Sequence, residues 1–406
     1  MIDPKIICER ALAAVGDRAD GAEVMCSATT VALTRFASNG ITQNVVERQI
    51  GVTLRVQKAG RTARAGTNRL DDASLKRAAD AALDLARLQK PDPDLLPFLP
   101  PQTYRSVPGP AAATSSTTPA ERAELAAGGA AVCKRAGLRA NGYTTTDTDT
   151  TAIANTAGLF ASHTDTVAEL SCTAVGDGGM AGWAAATERD RRCLDPGTVA
   201  RRAVEKALKS RRPRSVPAGR YTVVMEPAAV ADLLAFWAWE AFGGLAFVEG
   251  RSCLSGKIGE KMLHPSVTIV DDAGHPRTMG APFDAEGAPR QAVTLVDRGT
   301  IRGVVHDRIT AKRAGVASTG HALPQPNPWG PLAANLVLTP GKDSLESLIG
   351  KVSRGLLITE FHYTNVLDPM TLTVTGMTRN GTFLIERGAV GPAVKNMRFT
   401  QSLVEA

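Results

Sequence analysis

No apolar run in the 406 residues reaches transmembrane length. The first stretch, MIDPKIICERALAAVGDRADG, carries acids where a secretory leader needs a basic flank and an unbroken apolar core. The expected compartment is therefore the cytoplasm. There is no CxxC: the six cysteines (Cys8, Cys26, Cys133, Cys172, Cys193, Cys253) stand singly, which points away from a zinc knuckle or disulfide framework and makes reduced thiols the expectation. None of the six histidines (His163, His264, His275, His306, His321, His362) lies three to five residues from another His or Cys, so no standard zinc cassette is written locally. A site assembled from distant residues stays open. GxxxxGK[ST], GxSxG and a GxGxxG between strand and helix are all missing, which leaves nucleotide-binding and serine-hydrolase readings without support.

Charge is not strongly one-sided either, with 47 basic and 40 acidic residues mostly intermixed for a formal +7. The densest basic run, KALKSRRPRSVPAGR (206–220), has no interleaved aromatics and is broken by Pro and Gly. It reads as a solvated connector marking a boundary near residue 215, and no nucleic-acid or membrane partner is expected.

A hydrophobic content of 43% over this length suffices for two domains, expected at 1–215 and 216–406. Ile7, Ala11 and Ala14 suggest an amphipathic helix over 4–15. A strand-like run follows (22–36), then a hairpin signal at Asn39-Gly40, and a strand pair turning near Ala59-Gly60. Leu70 to Lys90 is patterned as a helix capped by Asp71 or Asp72, and Thr118-Pro119-Ala120-Glu121 spells a capping box for another ending near Arg135. A second β section runs from Leu138 to Trp183, with turn signals at 155–158 and 176–179. LDPGTVARRAVEKAL (194–208) echoes LDDASLKRAADAAL (70–83), which fits an internal duplication as well as convergent helix design.

The most apolar helix-length stretch is AAVADLLAFWAWEAFGGLAFVEG (228–250), which carries Glu240. Apolar residues on nearly every face predict a buried helix, and a buried carboxylate needs a partner, a proton or a cation. Beyond it the chain alternates in the manner of strands, at 266–272, 292–307, 335–341, 355–365 and 371–390, with turn signals at Asp297-Arg298-Gly299, Asn380-Gly381 and Arg387-Gly388. The fold class expected is α+β: an N-terminal α+β domain with an antiparallel sheet and helices, then a β-rich C-terminal domain around the buried helix. Asp271-Asp272 and Asp284-Ala285-Glu286 place acids in loops, where they could hold a cation or polar substrate, or serve turns and caps.

PAGRYTVVMEP (217–227), GRSCLSGKIGEKM (250–262), VTIVDD (267–272), FDAEGAPRQAVTLVDRGTIRG (283–303), TGHALP and NLVLTPG (319–341) and TVTGMTRNGTFLIERGAV resemble the TldD/TldE (PmbA) family of two-component metalloproteases. The N-terminal half is similar in NGITQNVVERQIGVTLRVQKAG. The resemblance implies a TldD-type subunit that holds zinc through a helical HExxxH and a distant Cys, and a TldE-type subunit lacking them. Two imidazoles one helical turn apart share a face and can bind one metal, while the intervening Glu acts as general base. The matching hexad here is Trp239-Glu240-Ala241-Phe242-Gly243-Gly244. Trp239 and Gly244 thus stand at former metal-ligand positions, Glu240 is a relic of the general base, and no Cys follows Cys253.

The implied role is a TldE-like pseudoenzyme without metal or other cofactor, pairing with a zinc-bearing TldD-like subunit to enclose unfolded peptide, with Trp239 filling the space of the metal and its imidazole. The alternatives are a diverged metallopeptidase with a metal relocated to some of His264, His275, His306, His321 and His362, and a homodimeric peptide-binding modulator.

Overall fold

A computed structural model describes residues 3–406. Helix α1 (Pro4–Val15) is capped by Asp3 and lays Ile7, Cys8, Ala11 and Val15 on the core. Three antiparallel strands follow, β1 (Gly21–Ala37), β2 (Gly40–Lys58) and β3 (Arg61–Thr67), and then helix α2 (Asp72–Leu88), capped by Asp71. The second hairpin turns at Ala59-Gly60 as the sequence places it (φ 49° and 71°), and the first turns at Ser38-Asn39 (φ 49° and 68°), one residue before the Asn39-Gly40 signal, with Gly40 already paired to Ala37. Those values suit the type I′ turn that matches strand twist.

After a Pro-rich crossing come the short α3 (Ala112–Ser115) and α4 (Pro119–Arg135). The Thr118–Glu121 capping box is present in both directions. Strands β4 (Arg139–Asn155), β5 (Phe160–Val175) and β6 (Ala181–Glu188) lead to α5 (Pro196–Lys209). The six strands form one antiparallel sheet in the order β3-β2-β1-β4-β5-β6. Two units of the same element order, helix–three strands–helix, therefore meet through a β1–β4 pairing that extends from Glu23↔Asn155 to Phe36↔Gly142. The echoing segments 70–83 and 194–208 belong to corresponding helices of these units.

The C-terminal region begins with β7 (Thr222–Met225) and α6 (Pro227–Phe236), a π-helical turn (Trp237–Ala241) and α7 (Gly244–Val248). Next come β8 (Ile269–Asp271), β9 (Val293–Asp297), β10 (Thr300–Ile301), α8 (Arg308–Ala314) and β11 (Leu336–Leu338). Then follow α9 (Leu345–Gly350), β12 (Arg354–Asp368), β13 (Thr373–Glu386), β14 (Ala389–Ala393) and β15 (Arg398–Ser402). Two sheets result: β10-β9-β8-β11, and β14-β13-β12-β7 with β15 also on β13; β7 runs parallel to β12.

The α+β class stands, but the burial expected of the 228–250 helix does not. The segment is broken into three pieces, and within α6 only Ala229 is fully buried. Burial concentrates at the break, where Trp237 stacks on Phe242 (ring centroids 5.4 Å apart) and both join a core with Ile269, Leu295 and Leu372. An apolar helix surface can be left for another molecule to cover, and periodicity does not distinguish the two cases. Asn380-Gly381 makes no hairpin either. Ile358 faces Thr382 and Glu360 faces Arg379, so these two residues oppose Thr359 alone, with φ of 51° and 141°. The positive φ serves a β-bulge inside a continuous β13.

Candidate functional site

Glu240, Trp239 and Gly244 sit on the broken helix. Trp239 is 56% exposed, so it does not fill a metal's place in the interior. Glu240 is only half-buried and needs no compensating partner. At Gly244 the chain pairs with the strand-like segment before α8: Gly244 N–H donates to Val305 O (2.8 Å) and Val305 N–H to Phe242 O (2.9 Å). This brings the buried His306 ring against Gly244. A Cβ at Gly244 would stand 2.5 Å from His306 Nδ1 and 2.7 Å from Val305 O. The position has no room for any side chain, and an imidazole fills the adjacent space.

His306 Nδ1 lies 3.2 Å from Thr310 Oγ1, and its backbone N–H donates to Thr319 Oγ1 (2.7 Å). Burial lowers its pKa, against the opposing pull of Asp307. Nearby, the buried His321 has Nδ1 2.9 Å from Thr319 O and Nε2 2.9 Å from Asp271 Oδ1, whose other oxygen accepts from Asn335 N–H (2.7 Å). His264 is exposed and His275 and His362 half-buried. Among the described residues no group of three or more His, Cys, Asp or Glu could hold a metal. Trp and Gly carry no ligand atom for zinc, so the residues at the implied ligand positions do not fit that ion.

A seam follows from His306 toward the six-stranded sheet. Asp284 serves as a turn-former, its carboxylate accepting from the N–H groups of Glu286, Ala288 and Ala322 (each 2.9 Å). The Glu286 it orients is buried, with Oε1 3.8 Å from Arg308 and Oε2 lacking any hydrogen-bond partner. Burial first, and then the negative charge of Asp284, push its pKa up to about 7, against the pull of Arg55 and Arg308. Across the seam Arg55 and Glu23 form a buried ion pair (3.1 Å) on adjacent strands. Burial raises the Glu23 pKa as well. Above this pair opens a cavity of about 640 Å³. It lies between β1–β3 and the loop 323–329, and Arg64 ties the two by donating to Pro324 O (2.8 Å). Gly330 and Pro331 then pack on Leu245 and Gly243, which joins the cavity wall to the broken helix.

The sequence shows Glu286 only as a loop acid, Glu23 and Arg55 only as charges within strand-patterned segments, and Arg308 just past the end of one. Their signal is position: Glu23 and Arg55 fall in strands otherwise read as core, where a charge without a partner is costly.

Comparison with known proteins places this geometry. Residues 22–86, 112–211 and 218–406 match domain 1, the central domain and the C-terminal domain of the PmbA/TldA metallopeptidases. The chain is 30% identical over 166 residues to a metalloprotease of Methanothermobacter thermautotrophicus, covering 39% of this chain and 36% of that one. It is 28% identical over 214 residues to a metalloprotease TldD homolog of Haemophilus influenzae, covering 51% of this chain and 43% of the relative. The matched stretches thus span less than half the length of these relatives. In fold it is similar to TldE from Thermococcus kodakarensis (TM-score 0.87, 23% identity, 98% of this chain and 91% of that one). The fold is that of the metallopeptidase-like α+β proteins. Within that class, the chain belongs to the PmbA/TldD family.

Proposed function

We propose that this chain is a TldE-like, non-metal-binding subunit that pairs in the cytoplasm with a zinc-bearing TldD-like subunit and helps enclose unfolded peptide for cleavage. The N-terminal unit (1–215) and C-terminal unit (216–406) would each supply one wall of the seam cavity. The observation that carries the reading is the Gly244 contact: a Cβ there would collide with His306 and with the backbone at Val305, so the packing is specific for a residue that cannot ligate. The half-buried Glu240 is a relic, and Glu240→Gln is expected to leave proteolysis by the pair nearly unchanged.

The test is metal analysis of the purified chain, with peptide cleavage measured alone and after addition of the TldD-like partner. Expected are no stoichiometric zinc and cleavage only by the pair; one tightly held zinc per chain, or chelator-sensitive cleavage by the chain alone, overturns the proposal. A second reading, a homodimeric peptide-holding protein, draws on the free edge of β2, which β3 covers only from Val52 to Lys58. Peptide binding without any co-purifying zinc-bearing homologue would favour it.

A further inference from the structure

A second cavity lies on the six-stranded sheet, away from the seam. Its floor is fixed by strand register: Ala32 stands between Val46 and Thr146, and Thr30 between Arg48 and Thr148, so two cross-strand rows of β2, β1 and β4 share one face. The end of α3, the turn after it and the start of α4 form the roof, through Thr114, Ser115, Thr117 and Pro119, over a space of about 480 Å³. That volume suits a small metabolite.

Arg122 of α4 lines this space with only 1% of its surface exposed. Buried arginines normally face a carboxylate. Here the guanidinium donates to two neutral acceptors, Thr117 O (3.2 Å) and Asn44 Oδ1 (3.1 Å), while its Nε is buried with no partner among the described residues. The acid acting on it from β4 is Asp147, whose carboxylate is engaged by the backbone N–H of Ala32 (3.2 Å). Arg48 adds a second, exposed cation at the cavity's rim. Two guanidinium groups and a floor of hydroxyl-bearing threonines make a donor-rich site that lacks its acceptor.

We propose that this cavity binds a small phosphate monoester, with Arg122 as the buried anchor, Arg48 as the second cation and Thr30, Thr146 and Thr148 as hydroxyl donors. The excess of donors favours phosphate, with its three terminal oxygens, over a carboxylate. The site is distinct from the seam cavity and requires no metal.

Calorimetric titration of the full chain at physiological ionic strength tests it, with inorganic phosphate, glycerol phosphate and acetate as probes. Expected is saturable one-to-one binding of both phosphates. Arg48→Ala should weaken it about tenfold, as loss of one charge-assisted contact does, and Arg64→Ala at the seam should not change it. Arg48 is exposed, so its removal leaves the fold intact; Arg122→Lys, checked by circular dichroism, should also weaken binding because it keeps the charge but loses the fork. Absence of saturable phosphate binding, equal affinity in Arg48→Ala, or acetate binding as tightly as phosphate overturns the proposal.

Discussion

Glu286 shows how much one buried oxygen can decide. Its folded pKa, pushed up to about 7 from an ordinary value of 4.5, means that the native state holds a proton which the unfolded chain releases. The resulting stability is fully present below the unfolded pKa and is lost as pH rises through about 7, on the order of 3 kcal/mol for this group. Glu286→Gln keeps the shape without the titration. Urea unfolding at pH 5 and pH 8 should show the wild type losing more stability than the variant; Glu23 and Asp284, also raised by burial, leave a residual slope in both. Identical slopes would contradict the assignment. At Gly244 the constraint is steric. Gly244→Ala puts a methyl group 2.5 Å from His306 Nδ1 and 2.7 Å from a backbone oxygen, so about 1–3 kcal/mol of overpacking is expected. His306→Ala in the same chain should recover part of it, because only the backbone clash remains, and a double-mutant cycle measures that coupling. A neutral Gly244→Ala would remove the main support for a position closed to ligands.

At the scale of elements, local chemistry dictates the N-terminal half. The Thr118–Glu121 capping box is complete, with Thr118 N–H donating to Glu121 (2.8 Å) and Glu121 N–H to Thr118 Oγ1 (3.3 Å). Thr118→Ala should therefore cost about 1 kcal/mol in denaturant unfolding. The long strands, their turns at Ser38-Asn39 (one residue before the Asn39-Gly40 signal) and Ala59-Gly60, and helices α2, α4 and α5 were readable because each signal is contained within a few neighbouring residues. The C-terminal region resists such reading. β8 and β11 are three residues long, too short to display a period, and are held by pairing with distant segments, whereas the two-residue β10 folds straight back on β9 at the Asp297-Arg298-Gly299 turn. The Asn-Gly pair that flanks the end of a hairpin turn at 39–40, with Gly40 already paired to Ala37, makes a bulge at 380–381, because the partner strand β12 is already fixed on both sides of it. Likewise the apolar pattern of 228–250 correctly marks a helix but not its break, which is set by the tertiary pairing of 242–244 with Val305. The site followed the same rule: the resemblance singled out Glu240 and Gly244 as expectations, whereas the Glu23–Arg55–Glu286–Arg308 seam exists only once sheet and loops are packed together.

For the whole molecule the informative surface is the one left uncovered. From Gly40 to Gly51, β2 has β1 on one side and, among the described residues, no strand on the other, and Ile41 and Val45 on this stretch are 46% and 42% exposed. A long, partly apolar, unpaired edge invites association unless another chain occupies it. Trp239 and Tyr363 also present large aromatic surface to solvent, and among the described residues no helix is long and apolar enough to cross a membrane. The proposed pairing with a TldD-like subunit supplies a reason for this edge. Ile41→Lys combined with Val45→Lys changes two side chains already facing water, so monomer stability should move by no more than about 0.5 kcal/mol. Burying two ammonium groups against a partner strand, by contrast, carries a desolvation penalty that the complex must bear. Co-purification with the TldD-like subunit should be lost in the double variant while circular dichroism and thermal unfolding of the isolated chain remain unchanged, with light scattering reporting the species formed. Retention of the full complex by this variant would move the interface elsewhere, to the surfaces around Trp239 or Tyr363, and would leave the exposed edge of β2 available for peptide.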